Sequence, residues 1–386
     1  MLIKGKNVRI LFSKIKHNIM NRIIFLFFTT LLFLAACKQQ PVTNTLFAGT
    51  YTGKGGDGVM AYTFNSETGE LKQTGLAAKL NNPSYISVSH DGSRLYAVSE
   101  RDDSKVSVFE ITKDGTNIKP ISSKKVNGAA ACYVSSNRDD TELFVSNYVS
   151  GTFSFLGLDG KGNIISVENL KPGVASKVDT TRQMAPHAHS IAPGPFGKYI
   201  YGADLGADRI FIFRKKDNRY VLHKEVVMPP GSGPRHFAFH PDGETMAVLS
   251  ELNSTVTIVK KDDEGCLSIV KDSYSMLPER FDGFSKAADI HFSPDGLFLY
   301  ASNRGHNSIV VFDFKTGIPK AIQWVTEKVD WPRNFTIDPT GKYLLVANRH
   351  SNSITVFRRD VEKGTLKYLS NSPGISEPVC LKFITK

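Results

Sequence analysis

The sequence is poor in cysteine, with only Cys37, Cys132, Cys266 and Cys380 among 386 residues. Cys37 closes a leader-like segment, so three remain, an odd number that cannot all pair internally. A disulfide or metal-binding cysteine framework is therefore not expected. Cys132 and Cys380 stand in apolar, strand-like runs and read as buried free thiols. A membrane-spanning run is missing as well. The uncharged stretch 23–36 has 14 residues, too few to cross a bilayer comfortably. No dense Lys/Arg block interrupts the rest. The formal charge of +11 includes six cations in residues 1–36, which contain no Asp or Glu, leaving +5 over 37–386. That mild excess argues against nucleic acid as a partner. Also absent are a G-x-S-x-G nucleophile elbow, a P-loop and a G-x-G-x-x-G between strand and helix. Gly53-Lys54-Gly55-Gly56 reads as a hairpin loop rather than a phosphate cradle.

What is present is the composition of a globular chain, 41% hydrophobic and 22% charged, with 31 Gly and 18 Pro for many turns. Residues 1–36 read as a secretory signal, with Met20 as an alternative start. Leu34-Ala35-Ala36-Cys37 resembles the bacterial lipobox, whose Cys is lipidated and becomes the mature N-terminus. Cys37 is thus the expected lipid anchor to a membrane, and residues 37–45 a lipidated tether. This places the body in the cell envelope, facing the periplasm. Lys38, where an Asp would favour retention at the inner membrane, points to the outer membrane.

A repeat organises the remainder. A strand-like run enters an Asp-Gly-type turn, followed by a second strand, a polar loop and a third alternating strand. The turn positions are Gly92, Asp140, Gly197, Gly243, Gly296 and Gly341, with gaps of 48, 57, 46, 53 and 45. A period near 50 with several short strands per unit predicts a β-propeller. A seventh copy is split between residues 377–383 and 46–64. The predicted fold is all-β: one seven-bladed β-propeller over 46–386, its ring closed by N-terminal strands pairing with the C-terminal strand, so that no sheet edge is left open.

Comparing copies locates a site, because scaffold residues recur whereas site residues differ. Eight positions before the turn stand Ser84, Cys132, His189, Arg235, Ala288 and Arg333; eight after it stand Glu100, Tyr148, Leu205, Glu251, Arg304 and Arg349. Both sets fall at the hairpin end opposite the turn and are expected to ring one mouth of the channel. His189, Arg235, Glu251, Arg304 and Arg333 form a charged cluster there, which requires pairing, water or an anionic ligand. Arg presents a planar fork suited to carboxylate or phosphate. An alternative is that Arg235 and Glu251 merely pair within one blade. Arg349 and Glu100 read as rim residues. His187 and His189 share a strand face, but no third ligand has suitable spacing, so no metal is expected. His223, His240, His291, His306 and His350 read as surface or turn residues. The amides of Gly231-Ser232-Gly233 are candidates to help hold an anion.

The stretches GTYTGKGGDGVMAY, PHAHSI, ADLGADRI, PPGSGPRHFAFHPDG, LYASNRGHNSI and WPRNFTIDPTGKYLLVAN resemble the lactonase family of seven-bladed propellers, across roughly 46–386. That family includes 6-phosphogluconolactonases and carboxy-muconate lactonizing enzymes. The resemblance implies an active site at the channel mouth, with His189, Arg235, Glu251 and Arg304 at the family's proposed catalytic positions, and no cofactor. The expectation is hydrolysis of a sugar-derived lactone, the partner being a small lactone or sugar acid. His189 is the favoured base and Glu251 orients Arg235 or the substrate; Arg333 and His187 are expected to contact substrate. The leader departs from the cytoplasmic setting of the phosphogluconolactonases, which leaves open whether the lactone is phosphorylated. A non-catalytic envelope propeller binding a ligand or protein, with Trp324 and Trp331 as patch candidates, and a metal-dependent lactonase are the alternatives. The oligomeric state is not legible.

Overall fold

The computed structural model of the chain describes residues 43–113 and 115–384, apart from the side chain of Asp272. The expected signal segment and the expected lipidation site, Cys37, lie outside the described residues. Within them there are strands and turns but no helix. The strands form seven antiparallel sheets of four, so the fold is a seven-bladed β-propeller. The ring closes as expected. The last strand, β28 (Pro378–Phe383), is the inner strand of a blade whose other three strands come from the start of the domain. It pairs antiparallel with β1 (Thr43–Thr50), with Leu46 opposite Phe383. Thr43, Asn44 and Thr45, assigned above to the tether, already pair with Asn65, Phe64 and Thr63 and belong to this blade.

The turns have a common cause. Gly92, Gly197, Gly243, Gly296 and Gly341 adopt φ between 69 and 75°, and Asp140 adopts 52°. This left-handed region costs glycine nothing and is tolerated by Asp. In each copy the turn amide donates to the carbonyl three residues back, as in Gly243 to His240 at 3.0 Å and Asp140 to Asn137 at 3.0 Å.

The apolar core sits between blades, not in the channel. Phe144, Phe153 and Phe155 of one blade interlock with Phe211, Phe213 and Tyr220 of the next. Each large buried side chain contributes about 2 kcal/mol by leaving water. Tyrosines also lock blade to blade: the Tyr201 hydroxyl donates to Gly265 O at 3.0 Å and the Tyr300 hydroxyl to Gly364 O at 2.7 Å.

The inner strands carry a feature that the repeat pattern does not show. They are β4 (Ile86–Val88), β8 (Ala131–Ser136), β12 (Ala188–Pro193), β16 (Pro234–Phe239), β20 (Lys286–Phe292), β24 (Pro332–Ile337) and β28. The pairing register skips Cys132 in β8, His189 in β12, Arg235 in β16, Ala288 and Asp289 in β20, Arg333 in β24 and Val379 in β28. A β-bulge thus recurs at the position eight residues before the turn. Bulges re-aim side chains and end ladder pairing, and here they occur where the charged residues lie.

Candidate active site

Glu251 follows directly on the second strand of the β16 blade, and its amide is fixed by Gly233 O at 2.8 Å. Its carboxylate is 4% exposed and meets three guanidinium groups. Arg235 Nε lies 3.1 Å from Oε2, Arg304 Nη2 2.8 Å from Oε2 and Arg182 Nη2 2.8 Å from Oε1. Arg235 comes from the same blade, Arg304 from the next, and Arg182 from the loop 171–187. The pairing is therefore not confined to one blade.

Burial alone would raise the Glu251 carboxyl, but Arg304, Arg235 and Arg182 together hold it well below the usual carboxylate range. Arg235 is 1% exposed. Burial, with Arg304 and Arg333 nearby, pushes it down to about 10, so it stays charged at neutral pH. Its Nη1 donates to Ala288 O. The cluster holds three cations against one carboxylate. Among the described residues, Arg182 Nη1, Arg235 Nε and Arg304 Nε are buried with no hydrogen-bond partner, Arg235 Nε being within ion-pair distance of Glu251 only. The cluster is thus left with three unsatisfied donors and a surplus of two positive charges.

Arg333 sits across the mouth. Its Nη2 is 3.5 Å from Glu100 Oε2, which also accepts the Tyr51 hydroxyl at 2.9 Å. Arg349, the rim residue, pairs with Glu377 at 3.0 Å. The Tyr51 ring lies between the two guanidiniums, 5.2 Å from Arg333 and 4.8 Å from Arg349. This side of the mouth is charge-balanced.

His189 is buried at the bulge of β12, its Nδ1 3.8 Å from Cys132 Sγ. Burial, then Arg235, His236 and Arg333, holds its imidazole well below the ordinary value, so it is neutral in the working range. Cys132 thus has a histidine neighbour, but burial pushes its thiol up and leaves it unactivated. His187 is turned aside: its ring stacks on Tyr148 at 4.4 Å and Nδ1 lies 3.0 Å from Tyr148 O. A carbonyl only accepts, so Nδ1 carries the proton and Nε2 is left as acceptor. The loop amides suggested for an anion are occupied, because Gly231 N and Gly233 N both donate to Asp208 at 2.8 Å. Among the described residues no group of His, Cys, Asp or Glu is arranged to hold a metal ion.

The fold and this mouth can be set against known proteins. A family model described as "Lactonase, 7-bladed beta-propeller" matches residues 45–383. The chain belongs to this lactonase family. It is similar to the 6-phosphogluconolactonase of Bacillus subtilis, 30% identical over 341 residues, which span 88% of this chain and 97% of the relative. The 6-phosphogluconolactonase of Formosa agariphila is 33% identical over 353 residues, spanning 88% of this chain and 99% of the relative. Among solved structures, the periplasmic gluconolactonase of Pseudomonas aeruginosa is 30% identical with a TM-score of 0.82, covering 89% of this chain and 99% of that one.

For a lactonase-family chain, several residues at this mouth escape comparison of the repeats. Arg182 is the chief one, and it lies outside every repeat unit. Its signal is the gap of 57 between Asp140 and Gly197, the longest in the series, which marks extra residues at this end of the ring. The insertion is pinned by Gln183, whose Nε2 donates to Asp208 Oδ1 at 2.7 Å, and by His187 N, which donates to Asp204 Oδ1 at 2.7 Å. His236 is adjacent to Arg235, and strict strand alternation would turn it to the opposite face. His291, read above as a surface residue, instead contacts buried Asp289, Nε2 to Oδ2 at 3.0 Å. Trp331 stacks on His350 at 4.5 Å beside Arg304, whereas Trp324 packs on the blade core and donates to Met276 O at 2.9 Å.

Proposed function

We propose that the protein hydrolyses a sugar-derived lactone bearing an anionic substituent, at the channel mouth and without a metal. The observation that carries this reading is the Glu251 cluster, with two uncompensated positive charges and three unpartnered guanidinium donors. An anion entering the mouth supplies what that cluster lacks, and family membership supplies the reaction class. Relatives named 6-phosphogluconolactonase and a periplasmic gluconolactonase support the same chemistry.

In this reading Arg182 holds the anionic group, while Arg235 and Arg304 face the oxygen of the ester carbonyl. Water attacks the carbonyl carbon, and the developing oxyanion is stabilised by preorganised guanidinium charge in a site shielded from water. Neutral His189 accepts the proton of the attacking water. The ring C–O bond then breaks, and the leaving alkoxide takes the proton from His189. The products are a hydroxyl, a carboxylate and one released proton. Glu251 is not the base, because three arginines hold it ionised. Its role is to orient the guanidiniums. The low basicity of His189 shifts most of the barrier lowering onto Arg235 and Arg304. Arg333 and His187 Nε2 contact the sugar hydroxyls. We infer that the molecule is anchored to the envelope through Cys37 and acts on lactones met there.

The test is acid release from 6-phosphogluconolactone and gluconolactone by the purified full-length protein in detergent with EDTA. Release above the spontaneous rate, faster for the phosphorylated lactone and lost in Arg235→Ala, is expected. Release that requires a metal would overturn the metal-free mechanism. Absence of release from either would move the reading to a binding propeller.

A further inference from the structure

His236 lies next to Arg235 on β16 and is 4% exposed. Its Nδ1 is 2.8 Å from Asp289 Oδ1, and its Nε2 is 3.3 Å from Arg235 Nη1. A carboxylate only accepts and a guanidinium only donates. The two contacts therefore fix one tautomer, with the proton on Nδ1 and the lone pair on Nε2 facing Arg235. Burial, reinforced by Arg235, pushes the imidazole down to about 3, so it is neutral whenever the protein is folded near neutrality. Asp289 is itself held from its own strand and from the next blade. Its Oδ2 accepts from Asn334 Nδ2 and from Phe335 N at 3.2 Å, and takes His291 Nε2 at 3.0 Å. Burial alone would raise its carboxyl, but His291 and His236 hold it well below the usual range. Arg235 is thus held by its ion pair with Glu251 on one side and by His236 and Ala288 O at Nη1 on the other.

We propose that His236 and Asp289 are positioning residues: the pair sets the tautomer whose Nε2 fixes the plane of the Arg235 guanidinium at the mouth. This rests on the reading that Arg235 stabilises the oxyanion. The competing view is that His236 only fills space, since it packs edge-on against Tyr133 at 5.3 Å and His189 at 5.4 Å. Two substitutions separate the views. Gln places an acceptor near the position of Nε2, whereas Asn reproduces only the Nδ1 side toward Asp289.

The experiment combines kinetics on 6-phosphogluconolactone, thermal melts and nitrogen NMR of labelled histidines. The wild-type spectrum should show His236 protonated at Nδ1, bare at Nε2 and not titrating between about pH 5 and 8. His236→Gln should keep most of kcat. His236→Asn should lose about tenfold or more in kcat, as misplacement of a site group does, with a melting temperature equal to that of His236→Gln. Asp289→Asn should let the other tautomer appear. An Nε2-protonated or titrating His236 in the wild type would overturn the proposal, and so would equal kcat in the Gln and Asn variants. If the wild type hydrolyses no lactone, the functional reading fails separately. The positioning claim is then decided by the NMR tautomer and by calorimetric binding of 6-phosphogluconate, which should be weaker to His236→Asn than to His236→Gln.

Discussion

The two sides of the channel mouth use the same residue types to different ends. Around Glu251, three arginines share one carboxylate and leave buried donors without partners. Around Tyr51, Arg333 and Arg349 each have their own carboxylate, Glu100 and Glu377. A balanced pair has no electrostatic use for a ligand, whereas a surplus of buried cations lowers its free energy by acquiring an anion. Arginine at a mouth is therefore uninformative until its counter-charges are counted, and the count points to the Glu251 side.

The comparison can be broken by removing one carboxylate from each side. Glu251→Leu should destabilise the fold by about 3–5 kcal/mol, because it strands two buried cations, Arg235 and Arg304, and the partly exposed Arg182. Glu100→Gln should cost about 1 kcal/mol, the size of an ordinary hydrogen bond. Urea unfolding of both variants measures this, and equal costs would erase the distinction. Removing arginines sharpens it through activity. Arg304→Ala should lower kcat by about 100-fold or more, with Arg349→Ala near wild type; a loss confined to Arg349→Ala would put the chemistry on the other side. Arg182→Ala should raise KM for 6-phosphogluconolactone about tenfold through loss of a charge-assisted contact and leave gluconolactone unaffected. A uniform rise for both lactones would mean that Arg182 does not read the anion.

The smallest expected effect is on pH dependence. His189 and His236 are depressed in the folded state relative to about 6.5 in the unfolded chain. Below that pH the unfolded chain binds protons that the folded one refuses, so their contribution is complete above about 6.5 and is lost as pH falls toward the folded values. Asp204, which burial raises to about 6, acts in the opposite sense, its contribution fading as pH rises through 6. His306 is depressed by burial as well, so the histidines outweigh Asp204 and stability should rise with pH between roughly 4.5 and 6. His236→Gln should flatten that slope, and an unchanged slope in the variant would show that His236 is not the group excluded from protonation.

Much of this architecture was legible in the chain. Six turn residues at near-even spacing, five of them glycine, mark six copies, and the split seventh follows from residues 377–383 and 46–64. Positions counted from those turns gather Arg235, Glu251 and Arg304 at one end, where the structure also has them. Arg182 was not legible, because an insertion has no register with the repeat; only the length of the gap marked its place. His236 and Asp289 were hidden for a different reason. Strict alternation sends neighbouring residues to opposite faces, and the bulges that suspend alternation at Arg235 and Asp289 are announced by no residue type common to them.

By itself, the sequence determined the number of blades, their direction and the closure of the ring. Those depend on local turn chemistry and on hydrophobic alternation, which repeat in every copy. Only the tertiary structure decided which charges share a carboxylate, which histidine proton faces Asp289 and which guanidinium donors remain unpartnered. Those depend on contacts between blades and with an inserted loop, over distances that no spacing in the chain encodes.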